Sequence, residues 1–498
     1  MDSLVFLCAR CLVSHRPTAR RALLALPAEL YPVLFRAAFL DGRTLALHDL
    51  VTSWPFPVLA FQRLLGRQNL EENPSKPCIQ AVVSAVVTQL QHVMEESWAG
   101  VSESRCRLHL LDMTGLQSES DSPDRSPEGL SLWSGTVAVA KACLALSEPC
   151  GPKRGSKRRK GPRQASPTTP QPFGVEIRTD LFVNGTSLGV LRRALRSSGP
   201  LRLRCRDFHA EELSAAAINS LLEALEPTGV RRIDLRFNNL GLPGLCLVLP
   251  QLTGFRDLLS LRLPYSNVDT RRVADAGLQR LAALLGKLQG LKELSLGSSR
   301  LSGKLKQVLS DLQTPLESLE LAYCSLLASD FTFLCQSHHA PVLRKLDLSG
   351  HFFSEELLQP LRSLLEESSA SLLHLDLIEC HLTDSALDLL LPTLCRCSRL
   401  RSLGIFGNPL SVVGLKNLLR RTVVLTDLSL VIYPYPTDCF AEGPPFASSG
   451  LFLEAAVDEE RLATVRAELG QMLADSGRAG TIWTTSLCHH GARDYFTL

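Results

Sequence analysis

The sequence predicts an α/β solenoid, a horseshoe of short parallel strands and helices with a helical cap at its N-terminus. Two observations predict it. Residues 372–382 read L-x-x-L-x-L-x-x-C-x-L, and residues 400–410 repeat this 28 residues later as L-x-x-L-x-I-x-x-N-x-L. Between the copies, apolar residues recur at helical spacing, namely Leu387, Leu390, Leu391 and Leu394. Because one strand-turn-helix unit cannot bury its apolar faces alone, the repetition predicts a continuous stack.

The same unit occurs seven times in register. Its turn positions are Asn238, Ser266, Ser299, Cys324, His351, Cys380 and Asn408, with steps of 28, 33, 25, 27, 29 and 28 residues. Units of this length, with Asn or Cys at a turn where the side chain hydrogen-bonds backbone in the stack, are typical of leucine-rich repeats. A weaker unit at 201–208 precedes the set, and Leu425, Leu428 and Leu430 are predicted to close it.

Composition and pattern divide the chain into five regions. Residues 1–65 predict short helices, and residues 66–149 predict degenerate first repeats, with a strand in 108–116 and a helix in 133–146. Residues 150–172 are a linker and residues 173–435 the repeat array. Residues 436–498 predict a C-terminal cap, with a helix at 459–473 and a strand at Ile482-Trp483. Such a cap would shield the last apolar face of the array.

The linker is the one strongly charged region. It carries seven Lys or Arg residues and no acid, whereas the whole chain of 498 residues has a net charge of only +3. The remaining residues therefore have no global attraction for nucleic acid. One cluster is a nuclear-localisation candidate: Lys153, Arg154, Lys157, Arg158, Arg159 and Lys160. A merely solvated linker explains the same cluster.

Cysteine usage predicts a cytoplasmic location, with nuclear import as an addition. Fifteen cysteines in no regular framework are expected to be reduced. The first residues lack a signal peptide, and no stretch approaches the roughly 18 apolar residues of a membrane span. The segment Gly297 to Lys304 fails as a phosphate loop, because five residues separate its glycines and Leu305 replaces the required Ser or Thr. We expect a non-enzymatic protein without cofactor or metal.

Several motifs resemble those of the PRAME family of leucine-rich repeat proteins, over almost the whole chain. They are L-P-x-E-L-x-P-x-L-F at 26–35, W-P-F at 54–56, P-L-E-S-L at 315–319, the repeats at 372–419, R-A-E-L at 466–469, Gly477-Arg478 and Trp483. Residues 150–172 depart from the family pattern as an insertion. The resemblance implies a substrate receptor of a cullin-2 ubiquitin ligase, recruited through elongin C and elongin B.

The elongin-binding box of such receptors is Ser or Thr, Leu, three residues, a small residue, three residues and an aliphatic residue. Ser3, Leu4, Cys8 and Leu12 fit it at every defined position. The box binds as a helix in a groove, so Leu4 would enter an apolar pocket. An ordinary core-facing helix would show the same pattern. Leu26, Pro27 and Leu30 resemble the cullin-selecting box, and a helical cap on the first repeat explains them equally well.

Residues beside the strand leucines are predicted to point to the concave side, where solenoids bind partners. We expect the centre of a substrate surface at Tyr265, Glu320, Tyr323, Asp347, Asp376 and Glu379. A solvated surface without a partner is the alternative. The predicted function is an adaptor that presents an unknown protein for ubiquitylation. The alternative is a leucine-rich repeat protein that inhibits or scaffolds an intracellular signalling partner.

Overall fold

The computed structural model describes residues 3–23, 25–66, 75–98, 107–116, 132–147, 174–272, 274–440, 457–487 and 494–497. The nuclear-localisation candidate at 153–160 lies outside the described residues. The chain forms two compact units: Met1–Ala210 with Ser220–Val230, and Glu211–Asn219 with Arg231–Leu498. The elements of the two units confirm the predicted α/β leucine-rich repeat solenoid with a helical N-terminal region.

In the part of the first unit that the structure describes, a helical cluster is combined with four strands. Its helices are α1 Leu4–Ser14, α2 Arg16–Ala22, α3 Tyr31–Leu40, α4 Thr44–Thr52, α5 Phe61–Leu65, α6 Lys76–Trp98, α7 Leu132–Ala145 and α8 Leu188–Leu195. Its strands are β1 Val58–Ala60, β2 Leu110–Asp112, β3 Val175–Val183 and β4 Leu201–Ala210, which pair in chain order and in parallel. Strand β2 lies within the range predicted for a strand, 108–116, and α7 nearly coincides with the range predicted for a helix, 133–146.

Aromatic residues fill the core of the helical cluster. The ring of Phe35 lies edge-on to Trp54 at 5.8 Å and to Phe61 at 5.6 Å, measured between ring centroids. Pro32 is the second residue of α3, which restarts after a 3₁₀ turn at Ala28–Leu30. Proline is tolerated there because the first turn of a helix has no acceptor for its missing N–H.

The described residues of the second unit form a regular stack of nine parallel strands. They are β5 Arg232–Asp234, β6 Ser260–Arg262, β7 Glu293–Ser295, β8 Ser318–Glu320, β9 Lys345–Asp347, β10 His374–Asp376, β11 Ser402–Gly404, β12 Leu430–Ile432 and β13 Ile482–Thr484. The helices after them are α10 Gly241–Leu252, α11 Asp275–Leu285, α12 Leu305–Leu309, α13 Ala328–Gln336, α14 Glu355–Ser368, α15 Asp384–Leu394, α16 Val412–Arg421 and α17 Glu459–Asp475, while α9 Ala215–Leu222 precedes β5.

Each strand of the stack places its central residue in the core. In the sheet, these central residues pair only with central residues of the neighbouring strands. Four of them are fully buried, namely Leu261, Leu319, Leu346 and Leu375. The first and third residues of each strand point to the opposite face, because side chains alternate along a strand. We call this face of the second unit the strand face.

The turn residues hold neighbouring repeats together as predicted. Buried Asn408 accepts hydrogen bonds from the backbone N–H of Cys380 at 3.0 Å and of Leu382 at 2.9 Å. Its amide nitrogen donates to the carbonyl of Leu377 at 2.8 Å. Cys324 occupies the same position and donates its thiol to the carbonyl of Leu296 at 3.2 Å. Each such bond contributes about 1 kcal/mol to stability.

The prediction for the last repeat is wrong by three residues. Strand β12 aligns Val431 with Leu403, so Val431 is the central strand residue and not Leu428. A 3₁₀ turn at Thr422–Val424 follows α16, and Leu425 and Leu428 are buried between this turn and the strand. The prediction is displaced because Leu425, Leu428 and Leu430 happen to fit the leucine spacing, whereas Val431 holds the central position where leucine is expected. The 28-residue step from Leu403 to this central position is kept.

The described part of the region predicted as a C-terminal cap contains the predicted helix and strand. Helix α17 buries Leu462, Val465, Leu469 and Leu473, and strand β13 pairs with β12. The described cysteines are all unpaired. Among the described helices, none combines the length and the apolar character required to cross a membrane.

Candidate functional site

Helix α1 presents an uncovered apolar stripe. Phe6, Ala9 and Val13 are buried on its inner face. The opposite side exposes Leu4 by 77%, and Cys8 is exposed, while Leu12 is partly exposed. These three residues recur every four positions, so they lie on one stripe. The apolar positions of the predicted elongin box therefore lie on the side of α1 that faces away from the core, and the elongin contact itself stays a prediction.

The inner side of α1 is anchored. The Arg36 guanidinium lies 5.3 Å from the centroid of the Phe6 ring. Arg10 pairs with Asp41 at 2.8 Å between their charged atoms. At the start of the helix, the Ser3 hydroxyl accepts a hydrogen bond from the backbone N–H of Phe6 at 3.3 Å, as an N-cap residue does. The exposed stripe is thus held on a folded support.

The cullin-selecting candidates form a turn before α3. Pro27 is exposed, while Leu26 and Leu30 are partly exposed on either side of it. The turn is fixed from α3, where the Tyr31 hydroxyl donates to the carbonyl of Leu23 at 3.1 Å. This arrangement suits both a docking turn and a helical cap, so the two predictions stay open.

Two of the six predicted substrate-surface residues are exposed tyrosines. Tyr265 is exposed by 48% and Tyr323 by 44%. Both have a left-handed backbone, with φ of 58° and 56°. The equivalent turn residues Phe237, Ser298 and Glu379 share this conformation, so it belongs to the repeat turn. Tyr265 stacks on Phe237, which sequence reasoning missed, with ring centroids 4.5 Å apart. Phe237 occupies the same turn position one repeat earlier. This recurrence of an aromatic residue at equivalent positions could have indicated that Phe237 belongs to the surface.

Tyr323 connects repeats through its hydroxyl. It donates to Glu379 Oε2 at 2.6 Å, two repeats further on. Its ring covers Gly350, where a Cβ atom would lie 2.1 Å from a ring carbon. Burial raises the pKa of Tyr323 above its ordinary value, and the hydrogen bond to Glu379 raises it further. The phenol stays neutral, so Tyr323 offers a partner an apolar ring and Glu379 a partly exposed acid.

The other predicted acids are less accessible. Glu320 is only 6% exposed and Asp376 only 1%, while Asp347 is partly exposed. Lys345 binds Glu320 at 2.6 Å and Arg262 binds it at 3.3 Å. Burial alone would raise the pKa of Glu320, but the charges of Arg262 and Lys345 outweigh burial and lower it. Glu320 therefore stays ionised inside a network of buried charges.

Sequence reasoning missed the rest of this network. Arg232 and Glu293 sit at the first position of their strands, and their side chains approach to 3.5 Å across the strand between them. The hydroxyl of Ser260, on that intervening strand, also donates to Glu293. Burial raises the pKa of Glu293. The recurrence of charged or small polar residues immediately before the central strand residue could have indicated this row.

The described residues contain no group of three or more His, Cys, Asp or Glu side chains placed to hold a metal ion. What the geometry offers is contact surface, namely the stripe on α1 and the aromatic part of the strand face.

Two family models match the chain. The PRAME N-terminal domain matches residues 2–113, and the PRAME C-terminal domain matches residues 196–497. The chain belongs to the PRAME family. The two PRAME models contain the candidate surfaces, since the first covers α1 and the second covers the whole strand face.

Curated relatives in this family match over their full length. Leucine-rich repeat-containing protein 14 of Xenopus laevis is 50% identical over 98% of both chains. The proteins of the same name from Homo sapiens and Mus musculus are 45% and 46% identical over 100% of both chains. A solved structure of the mouse RP105/MD-1 complex has a TM-score of 0.27 and 16% identity over 52% of this chain and 43% of that chain, a similarity too low to bear on the fold.

Proposed function

We propose that this PRAME-family protein is the substrate-recognition adaptor of a cullin-2 RING ubiquitin ligase. Helix α1 docks elongin C, which binds elongin B and cullin-2, and the strand face presents a protein target. The observation that carries the proposal is the exposed stripe of Leu4, Cys8 and Leu12 on a helix whose other side is buried. An isolated exposed leucine is ordinary, whereas an aligned apolar stripe is typical of a docking surface.

Each residue of the stripe has a distinct part in docking. Leu4 is 77% exposed, so its burial in an apolar pocket would contribute about 1.5–3 kcal/mol. The small side chain of Cys8 allows another backbone to come close. Leu12 extends the apolar contact by one turn. Ser3 caps α1 and holds its first turn in helical form.

The strand face supplies the other half of the function. Phe237, Tyr265 and Tyr323 are each more than two-fifths exposed and follow the strands of three repeats. Aromatic side chains contribute large contact area at low entropic cost and dominate protein interfaces. They are bordered by the partly exposed acids Asp347 and Glu379. We expect a target that buries apolar or aromatic side chains here and carries basic residues beside them.

The test is co-purification of elongin C with the Leu4→Ser, Cys8→Lys double variant. We expect elongin C to be lost, because a hydroxyl and a charge replace the apolar stripe, while thermal unfolding stays within a few degrees of wild type. Leu389→Ser is the matched control, since Leu389 is a 57% exposed leucine on α15. Elongin C that stays bound to the double variant, or that leaves the control, would contradict the proposal.

A second candidate function is a stoichiometric binding protein that inhibits or scaffolds an intracellular signalling partner. The exposed stacked pair of Phe237 and Tyr265 favours it, because this surface needs no ligase to hold a partner. The double variant separates the two functions. A ligase adaptor would retain its target but no longer shorten the target's lifetime, whereas an inhibitor would keep its full effect.

A further inference from the structure

A short segment near residue 495 lies on one edge of the strand face. Asp494 forms an ion pair with Arg232, the first residue of β5. Tyr495–Thr497 continue it as a 3₁₀ turn, and Asp494, Tyr495 and Phe496 are all partly buried. The ion pair joins residues 262 positions apart in the sequence. The segment therefore belongs to no repeat and is placed by contacts with distant ones.

The three side chains of this segment each meet a chemically matched partner. The carboxylate of Asp494 meets the Arg232 guanidinium. The Phe496 ring lies 4.5 Å from the Arg231 guanidinium and 4.6 Å from that of Arg232, a cation–π arrangement on two cations. The Tyr495 hydroxyl donates to Glu317 Oε2 at 3.3 Å. An acid, a phenol and a phenyl ring are thus each recognised by a different group.

The receiving side is rigid and built independently of the segment. Arg232 is only 4% exposed and lies 3.5 Å from buried Glu293. Glu317 is fixed by Lys292 at 3.3 Å and by Arg344 at 3.4 Å, on the repeats before and after it. The receiving groups therefore come from the repeats of β5 and β8, and residues of the repeats of β7 and β9 hold them in place. A preorganised site of this kind loses little entropy on binding.

We propose that this edge is a peptide-recognition site for an acidic residue followed by two aromatic residues, and that Asp494–Phe496 occupy it as an internal ligand. A tethered ligand acts at a high effective concentration, so an external peptide of the same chemistry must displace it. The inference rests on the proposed function in one respect: it states how access to the strand face is regulated and which targets gain access.

The arginine pair explains why the site prefers this chemistry. Arg232 is buried beside Glu293, and a second carboxylate from the solvent side balances its charge and completes its hydrogen bonds. A basic peptide would place like charges against Arg231 and Arg232. An aliphatic residue in place of Phe496 would bury area but lose the attraction between the ring face and the two guanidinium groups.

The experiment measures binding of a fluorescein-labelled, C-terminally amidated peptide, Ala-Arg-Asp-Tyr-Phe-Thr, to the full chain by anisotropy. In wild type the internal segment competes, so binding is weak. In the Asp494→Asn, Phe496→Ser double variant the site is open, and we expect at least about tenfold tighter binding, since apparent affinity scales with the open fraction. A peptide with Lys for Asp and Ser for Phe should not bind either protein.

Two controls make the result decisive. Phe352→Ser removes an aromatic residue that is 65% exposed elsewhere on the second unit, and it should leave peptide binding at the wild-type level. Adding Arg231→Ala to the open variant should abolish the gain, with the thermal unfolding curve checked for each protein. Equal binding by wild type and open variant, or a gain that survives Arg231→Ala, would overturn the proposal. No elongin is present in this assay, so a negative result here would not contradict the proposed adaptor function. Likewise, loss of the adaptor proposal in the elongin C co-purification would not contradict the peptide site.

Discussion

Single buried polar side chains hold the backbone of the repeats in place, and His339 is one whose role can be measured through its pKa. It is 1% exposed, and its Nδ1 accepts a hydrogen bond from the backbone N–H of Leu316 at 3.1 Å. Burial lowers the pKa of His339 to about 4, and the neighbouring His338 lowers it further. The fold therefore requires a neutral imidazole at this place, because a protonated Nδ1 could no longer accept the bond.

His339 should make stability fall in mild acid. Its ordinary pKa is 6.5 and its pKa in the fold is about 4. Below pH 6.5, His339 binds a proton in the unfolded chain but stays neutral in the folded chain until the pH approaches 4. The free energy of unfolding therefore falls by up to about 3 kcal/mol by pH 4. His339→Gln keeps an acceptor but does not titrate. Urea unfolding at pH 7 and pH 5 should therefore show a smaller loss in the variant. Equal losses in both proteins would disprove this assignment.

The exposure of single side chains was the least predictable property. The repeat pattern places Glu320 and Asp376 on the strand face, but not how deep they lie. Their burial depends on long neighbours such as Arg262 and Lys345, which cover Glu320 from the adjacent repeats. Sequence spacing reports the direction in which a side chain points and does not report what covers it.

At the scale of elements, α1 joins a buried face to an exposed one. The sequence alone could place Leu4, Cys8 and Leu12 on one stripe but left open whether the core covered them. Phe6, Ala9 and Val13 settle the question because they take the inner side. The strands of the seven repeats in register were predictable from their leucines, whereas β1 was not predicted and β12 was misplaced where Val431 and Ile432 interrupt the leucine pattern.

Under the proposed adaptor function, the N-cap of α1 should contribute to elongin binding by stabilising the helix. In Ser3→Ala the hydrogen bond to Phe6 is lost, which costs about 1 kcal/mol in helix stability, so elongin C should bind roughly fivefold more weakly by calorimetry. Ser3→Asp should restore the affinity, because aspartate also caps and favours the positive end of the helix. If Ser3→Asp bound as weakly as Ser3→Ala, the hydroxyl would instead contact elongin directly.

At the scale of the whole molecule, each repeat is stabilised by the repeats on either side of it. The last repeat of the stack lacks one neighbour, so its open side must be covered by other contacts. Arg478 provides them by donating to the carbonyls of Thr422 and Leu428, both at 3.0 Å. Burial lowers the pKa of this guanidinium. These bonds tie the cap to the repeat that closes at β12.

Arg478→Met should open the stack from this end. The loss of two charge-assisted bonds to carbonyls should lower the free energy of unfolding by about 2 kcal/mol. Because a repeat contacts only its neighbours, hydrogen exchange should rise first in β12 and β11 and last in β5. Arg461→Met is the control, since Arg461 is exposed on α17. A uniform rise along all strands would contradict this view of the stack.

The architecture of the molecule was largely predictable, because repetition multiplies a weak local signal. The sequence could not predict where the segment Asp494–Phe496 lies, because it has no periodicity and its ion-pair partner is 262 residues away. Local propensity cannot report such a contact.

The stripe on α1 also carries a chemical marker. Cys8 and Cys11 are the exposed thiols among the described cysteines, and both lie on the outward side of α1. A maleimide dye added to the folded protein would therefore react there faster than at the buried thiols. Among the described cysteines, the same placement makes those of α1 the most accessible to oxidants, so the proposed docking of elongin C would depend on the redox state of the surroundings.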